Sequence, residues 1–380
     1  MNLNNSIDNY YVTEYLYRKS ALNNYPISGT FELTPLCNFS CRMCYIVKTP
    51  EEMKKLLRSP LTYDDWIKIA EEAKAKGMLY LMLTGGEPFI YPQFLKLYKE
   101  LIKMGFIISI NTNGSLINDE IIECLKKYPP RRLNITLYGI NDDSYSKLCR
   151  VKSTFGKVDR AIKALTACGI SVKLNCSLTP YNISDLDGII KYAKDNGLPL
   201  DATSYMFPPI RKNCLSVGDN EARFSAEEAA EYRIEIFKKQ FSKDYYISFL
   251  KDIINGKTEP PGLDDLCEDP IDGKVRCRAG KAAFWITWDG FMTPCGMMPE
   301  PKVDLKKFNF ESAWEQIVEK TNEIRLSGVC GKCTNRDICH VCAAMAYAET
   351  GSMSGIPKYL CNMTKEMQRI ALKELKELNC

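Results

Sequence analysis

Apolar and polar positions along the first two-thirds of the chain alternate between two periods. Short apolar runs read as strands at Ile27–Leu33, Tyr80–Leu83, Ile107–Asn111, Leu133–Leu137, Val172–Leu178 and Ala202–Met206. Between them, spacings of three to four residues predict helices over Tyr63–Lys76, Gln93–Lys103, Asp119–Lys127, Lys157–Ala167 and Ser184–Asn196. Phe94, Leu97, Leu101 and Met104 fall on one such face. Gly77, Gly105, Gly169 and Gly197 stand where left-handed caps end helices, and Asn118 and Ser184 stand as N-caps. A helix near Ser225–Gln240 would complete six strand–helix units.

Consecutive βα units build a parallel sheet. Six are fewer than the eight that close a full barrel. The expected fold is α/β, a partial (β/α)6 TIM-like barrel with a C-terminal cysteine-rich domain. A doubly wound open sheet fits the same alternation, and either places the site at the carboxyl ends of the strands. The expected division is an N-terminal extension (1–26), a barrel core (27–241), a linker with little pattern (242–276), a cysteine-rich domain (277–361) and a C-terminal amphipathic helix (362–380). The cysteine-rich stretch has too few periodic apolar positions for a good core, so metal is expected to organise it.

Length and charge narrow the picture. A chain of 380 residues suits two or three domains. A net charge of +4 gives no push toward nucleic acid or acidic membranes. No run of about 18 apolar residues is present, and the N-terminus lacks an apolar signal core, so a cytoplasmic location is expected. Against that reducing background, 17 cysteines point to metal or catalysis rather than disulfides. His340 is the single histidine, which excludes catalysis built on paired histidines.

After the first strand the sequence reads Thr34-Pro35-Leu36-Cys37-Asn38-Phe39-Ser40-Cys41-Arg42-Met43-Cys44-Tyr45. Three thiolates on one tight loop can hold three irons of a cubane and leave the fourth open to a ligand, whereas full ligation needs four cysteines. A zinc loop is the plainer alternative. After the second strand comes Thr84-Gly85-Gly86-Glu87-Pro88, after the third Asn111-Thr112-Asn113-Gly114, and after the fourth Thr136-Leu137-Tyr138-Gly139.

Together these motifs resemble the radical S-adenosylmethionine (radical SAM) enzymes, over about Phe31 to Met206. The resemblance implies that Cys37, Cys41 and Cys44 carry a [4Fe–4S] cluster. It implies SAM contacts from Gly85, Gly86, Glu87, Pro88, Asn111, Asn113, Tyr45 and Arg150. It also implies reductive cleavage of SAM to a 5′-deoxyadenosyl radical that abstracts hydrogen from substrate. Two positions depart from the family pattern. Tyr138 stands where relatives often have Asp, and Met43 precedes the third cysteine where they have an aromatic residue.

Further on, the spacing Cys277-x12-Gly290-x4-Cys295, Cys330-x2-Cys333-x5-Cys339-x2-Cys342 and Cys361 resembles the SPASM extension of the same family, one residue short between Cys339 and Cys342. That resemblance implies two auxiliary [4Fe–4S] clusters, one on Cys330, Cys333, Cys339 and Cys361, the other on Cys277, Cys295 and Cys342. Cys267 is a candidate fourth ligand for the second. Zinc knuckles are the alternative for the C-x2-C pairs. Cys124, Cys149, Cys168, Cys176, Cys214 and Cys380 fit no spacing, and Cys124, Cys168 and Cys176 read as small hydrophobes.

The expected function is oxidative modification of a peptide, as in ribosomally made peptides that receive thioether or carbon–carbon crosslinks. A small-molecule oxidase or epimerase, sulfatase maturation, and an electron carrier without catalysis are the competing readings. Sulfatase-maturing relatives carry an acid where this chain has Gly296. A peptide substrate and an external electron donor such as flavodoxin or ferredoxin are the expected partners, with the peptide recognised either through a separate leader-binding protein or by the core alone. Asp289, Glu300, Tyr138 and Tyr205 are candidate proton acceptors, unranked by sequence.

Overall fold

The computed structural model describes residues 3–56, 58–256 and 273–378. Helix α1 (Leu3–Leu22) precedes strand β1 (Ser28–Glu32). Strands and helices then alternate as α2 (Tyr63–Ala75), β2 (Tyr80–Thr84), α3 (Phe94–Lys103), β3 (Ile107–Thr112), α4 (Asp119–Lys127) and β4 (Arg132–Thr136). They continue as α5 (Phe155–Ala167), β5 (Val172–Ser177), α6 (Leu186–Asp195), β6 (Leu200–Thr203) and α7 (Ala226–Gln240). All four expected glycine caps adopt positive φ, and Asn118 caps α4 through its side chain. Ser184 does not cap α6. It lies inside a short 3-10 turn, Ile183–Asp185, and α6 begins after it.

Neighbouring strands run in the order β6-β5-β4-β3-β2-β1, all parallel. A doubly wound sheet reverses its order at a switch point, and this one never does. With right-handed crossovers, an unreversed order puts every connecting helix on one face. That face is apolar: Leu81, Leu83, Ile108, Ile110, Leu133, Ile135 and Leu174 are buried against Leu97, Leu101, Leu125, Ile162, Leu165 and Ile189. Strand alternation turns the other side chains to the opposite face, which carries Thr30, Glu32, Met82, Ser109, Asn111, Arg132, Asn134, Asn175 and Thr203. The sheet curls around this polar face. Arg211, past the end of β6, reaches Glu32 on β1 although four strands lie between β1 and β6. The fold is therefore the open partial barrel.

The remainder departs from the sequence-based expectation. The stretch after Gln240 is not without pattern: α8 (Lys243–Asn255) buries Tyr246, Phe249, Leu250 and Ile253 at helical spacing behind a Ser242 cap. Beyond Cys277, the strand β7 (Ala283–Ile286) pairs in parallel with β1, and β8 (Phe291–Thr293) and β9 (Val303–Asp304) continue the same sheet antiparallel. Helix α9 (Phe310–Glu323) buries Phe310, Ala313, Trp314 and Ile317 in the main core. This segment thus has apolar packing of its own, against the expectation. A smaller core of Val275, Met298, Ile324, Leu326, Val341 and Leu360 underlies helix α10 (Ala343–Thr350). Helix α11 (Lys358–Glu377) packs on α7 and α8 and closes the side of the barrel past β6.

Candidate active site

The cysteine loop is clamped to its neighbours through backbone. Gly86 N donates to Thr34 O at 2.6 Å and Glu87 N to Leu36 O at 2.9 Å. A Cβ on Gly85 would sit 2.6 Å from Thr34 O, and one on Gly86 2.3 Å from Leu36 O. No side chain fits there, so the two glycines are what lets the loops touch. On the other side, Ser40 N and Arg42 N donate to Cys149 O and Leu148 O at 3.1 and 3.0 Å.

Glu87 is fully buried and points into the protein. It accepts from Thr112 Oγ1 at 2.8 Å, Asn113 N at 2.8 Å and Phe89 N at 3.2 Å. Burial outweighs these bonds and pushes its carboxyl up to about 7. Asn113 Nδ2 in turn donates to Asn38 Oδ1 at 2.9 Å and to Cys37 Sγ at 3.7 Å. The three motifs read separately in sequence are therefore one hydrogen-bonded unit.

Burial pushes the Cys37 thiol up to about 12. Cys41 is also raised, first by a hydrogen bond with the Cys149 side chain and then by burial, and Cys44 is raised by burial. These three sulfurs sit close enough to raise one another's proton affinity. Among the described residues, no three His, Cys, Asp or Glu side chains converge as tightly as metal ligands do. The donor set nevertheless fits a soft, cationic iron centre: three thiols on one loop, with Phe39 N at 3.3 Å and Asn113 Nδ2 aimed at Cys37 Sγ to steady a thiolate.

The other expected contacts distribute unevenly. Tyr45 is half-buried, with Arg211 5.6 Å from its ring centroid. Pro88 is buried and opens a 3-10 turn. Asn111 lies on the concave face and accepts from Asn134 Nδ2 at 2.7 Å. Arg150 is half exposed, has φ 56°, and pairs with Glu221 at 3.1 Å. Among the candidate proton acceptors, burial keeps Tyr138 and Tyr205 protonated, and Tyr205 donates to Glu349 at 2.9 Å. Asp289 accepts from Thr287 at 2.6 Å, and Glu300 pairs with Lys302 at 3.0 Å.

Sequence reasoning missed three anchors. Glu32 is fully buried and takes the fork of Arg211, both bonds at 2.9 Å, plus Trp285 Nε1 at 2.9 Å. Asp185 accepts from Ile140 N, Asn141 Nδ2 and Ser144 Oγ, fixing the loop after β4. Cys149 meets Cys41 at the end of a π-turn, Tyr145–Cys149. No local motif marks any of them, because each partner is distant in sequence.

In the C-terminal array, Cys330 lies near enough to Cys333, Cys361 and Cys339 to interact electrostatically, as Cys339 does with Cys361 and Cys295 with Cys342. Cys277 and Cys342 line one small cavity of about 130 Å³. Burial pushes Cys295 and Cys339 up to about 11. Cys267 falls outside the described residues. A cavity of about 590 Å³ is lined both by Met43 and Tyr45 of the first cysteine loop and by Cys339 and His340 of the C-terminal array.

This geometry agrees with the comparisons. Residues 31–193 match the model of the Radical SAM superfamily. A probable GTP 3′,8-cyclase of Sulfurisphaera tokodaii is 30% identical over 280 residues, 72% of this chain and 82% of that one. The chain belongs to the radical SAM superfamily. This radical SAM enzyme is also 24% identical to an AdoMet-dependent heme synthase of Methanosarcina barkeri, over 87% of this chain and 95% of that protein. Its fold matches Streptococcus suis SuiB bound to the precursor peptide SuiA, with TM-score 0.66 at 17% identity, over 95% of this chain and 81% of that one. Membership brings SAM and a [4Fe–4S] cluster as cofactors. Among the described residues, no helix is long and apolar enough to cross a membrane.

Proposed function

We propose that this radical SAM enzyme oxidatively modifies a peptide, installing a thioether or carbon–carbon crosslink. The observation that carries the reading is the cavity that both cysteine sites line. It is as large as a ligand cavity needs to be and joins Met43 and Tyr45 of the first loop to Cys339 and His340 of the second. A nucleotide triphosphate would need several cations there, and among the described residues on its wall Arg233 is the one Lys or Arg. SuiB, which shares the fold, takes a precursor peptide. A sulfatase-type base is disfavoured because the position after Cys295 is Gly296, packed under the Trp285 ring.

When bound at Cys37, Cys41 and Cys44, the cluster supplies the electron that cleaves SAM to the 5′-deoxyadenosyl radical. The chain's own part is placement. Gly85 and Gly86 bring the second loop onto the cysteine loop, and Glu87 and Asn113 hold the turn behind it. Tyr45 and Asn111 would contribute to holding SAM. Arg150, paired with Glu221, would have to exchange that partner to hold a SAM carboxylate. Cys330, Cys333, Cys339 and Cys361 would hold one auxiliary cluster and Cys277, Cys295 and Cys342 the other, within a domain spanning 277–361. An external flavodoxin- or ferredoxin-type donor supplies electrons, and the peptide is recognised either through a separate leader-binding protein or by the core alone.

Anaerobic reconstitution followed by metal counting and an assay for 5′-deoxyadenosine tests this. Three cubanes require about twelve iron per chain. About four iron with two zinc would make the C-terminal array structural and remove the oxidative part of the reading.

A further inference from the structure

The wall of the central cavity specifies more than its size. Met43, Met206, Met297, Met345, Met363 and Met367 all face it. They come from the cysteine loop, the run after β6, the turn after Cys295, α10 and α11. Methionines from five separate elements therefore converge on one space. Among the described lining residues, Arg233 and Asp252 alone carry a full charge. Both stand on the side formed by α7 and α8, and Arg233 lies 4.7 Å from the Phe237 ring centroid.

Two physical consequences follow. A charged side chain entering past Tyr45 would leave water and meet mostly thioethers and aromatic rings, a cost that Arg233 and Asp252 could offset only on the α7–α8 side. An aliphatic or aromatic side chain would gain about 25 cal/mol for each Å² it buries there. Methionine is unbranched and polarizable, so such a wall adapts to several apolar shapes while still rejecting charge. From this wall we infer that the residue modified by the enzyme, or its immediate neighbour, carries a large uncharged apolar side chain, and that the cavity accepts leucine, methionine and phenylalanine alike. The inference rests on the peptide-modifying reading.

The test uses anaerobically reconstituted full-length protein with SAM. The probes are Ac-Gly-Gly-X-Gly-Gly-NH2 peptides with X = Leu, Phe, Asp or Lys, and binding is followed by saturation-transfer NMR. The Leu and Phe peptides should bind at least tenfold tighter than the Asp and Lys peptides, with saturation concentrated on the methyl and ring protons. Met345→Asp should erase that preference, and Met345→Leu should keep it. If Met345→Asp fails to fold, the wild-type comparison of Leu with Asp decides alone. Equal affinity for all four peptides, or no binding by any, overturns the inference. The 5′-deoxyadenosine assay is read separately. Preferential Leu binding without 5′-deoxyadenosine would remove the enzymatic reading and leave the cavity's specificity standing. 5′-Deoxyadenosine with no apolar preference would do the reverse.

Discussion

Arg211 and Glu32 bind each other across the open mouth of the barrel. Glu32 is at the end of β1 and fully buried, and Arg211 lies in the loop after β6. The guanidinium also donates to Gly296 O at 3.0 Å and stands over the Tyr45 ring. One side chain therefore ties together the first strand, the residue after Cys44, the turn after Cys295 and the far edge of the parallel strands. An open sheet has no hydrogen bonds to close it, and this pair closes it at the end that carries the three-cysteine loop.

Removing one partner should be far worse than removing both. Arg211→Met leaves an unpaired buried carboxylate and should cost about 3–5 kcal/mol in urea unfolding. The double variant Arg211→Met/Glu32→Gln should recover most of that loss. It should still show faster hydrogen exchange over residues 36–48 and 294–298, because nothing then couples the two turns. Additive losses in the two single variants, with no recovery in the double, would mean the pair is not a unit.

Gly86→Ala should act on the first cysteine loop alone. Its Cβ would press on backbone, which cannot swing aside as a side chain can. Iron content should fall by about four per chain with the C-terminal array still loaded, and 5′-deoxyadenosine should disappear. Full iron in that variant would show that the loop tolerates the shift.

The barrel was legible because strand alternation and helix periodicity are local, and because glycines mark helix ends. The expected choice between open barrel and doubly wound sheet needed strand order, which no local pattern encodes. The three strands after Cys277 escaped notice because they are two to four residues long and lie among turn residues. Helix α8 did carry a signal, Tyr246, Phe249, Leu250 and Ile253, obscured by the Pro260-Pro261-Gly262 stretch that follows. At the site, Cys37, Gly86 and Asn113 announced themselves by spacing. Glu32, Arg211 and Asp185 are isolated charges in sequence, and only folding gives them partners.

Glu87 should give stability a pH dependence. Its carboxyl is raised from 4.5 to about 7, so the folded state keeps a proton that the unfolded chain has released. That contribution is fully present below about pH 4.5 and is lost as pH rises through about 7. Thermal unfolding at pH 6 and pH 8 should therefore show a larger drop for the wild type than for Glu87→Gln, which cannot ionise. Parallel behaviour of the two proteins would place the titration elsewhere.

Gly296→Asp should not create a sulfatase-type base. A Cβ at Gly296 would lie 2.9 Å from three atoms of the Trp285 ring. That ring cannot simply move, because its Nε1 is bonded to Glu32, which also holds Arg211. The new side chain must either displace the ring and break that bond or shift the turn that carries Cys295. Overpacking of this kind costs about 1–3 kcal/mol. The variant should melt earlier than wild type, with Trp285 emission shifted to the red as its indole loses its partner. It should form no formylglycine from a cysteine-containing peptide. A stable Gly296→Asp protein with unchanged tryptophan emission would show that the turn has room for an acid, and the sulfatase reading would return.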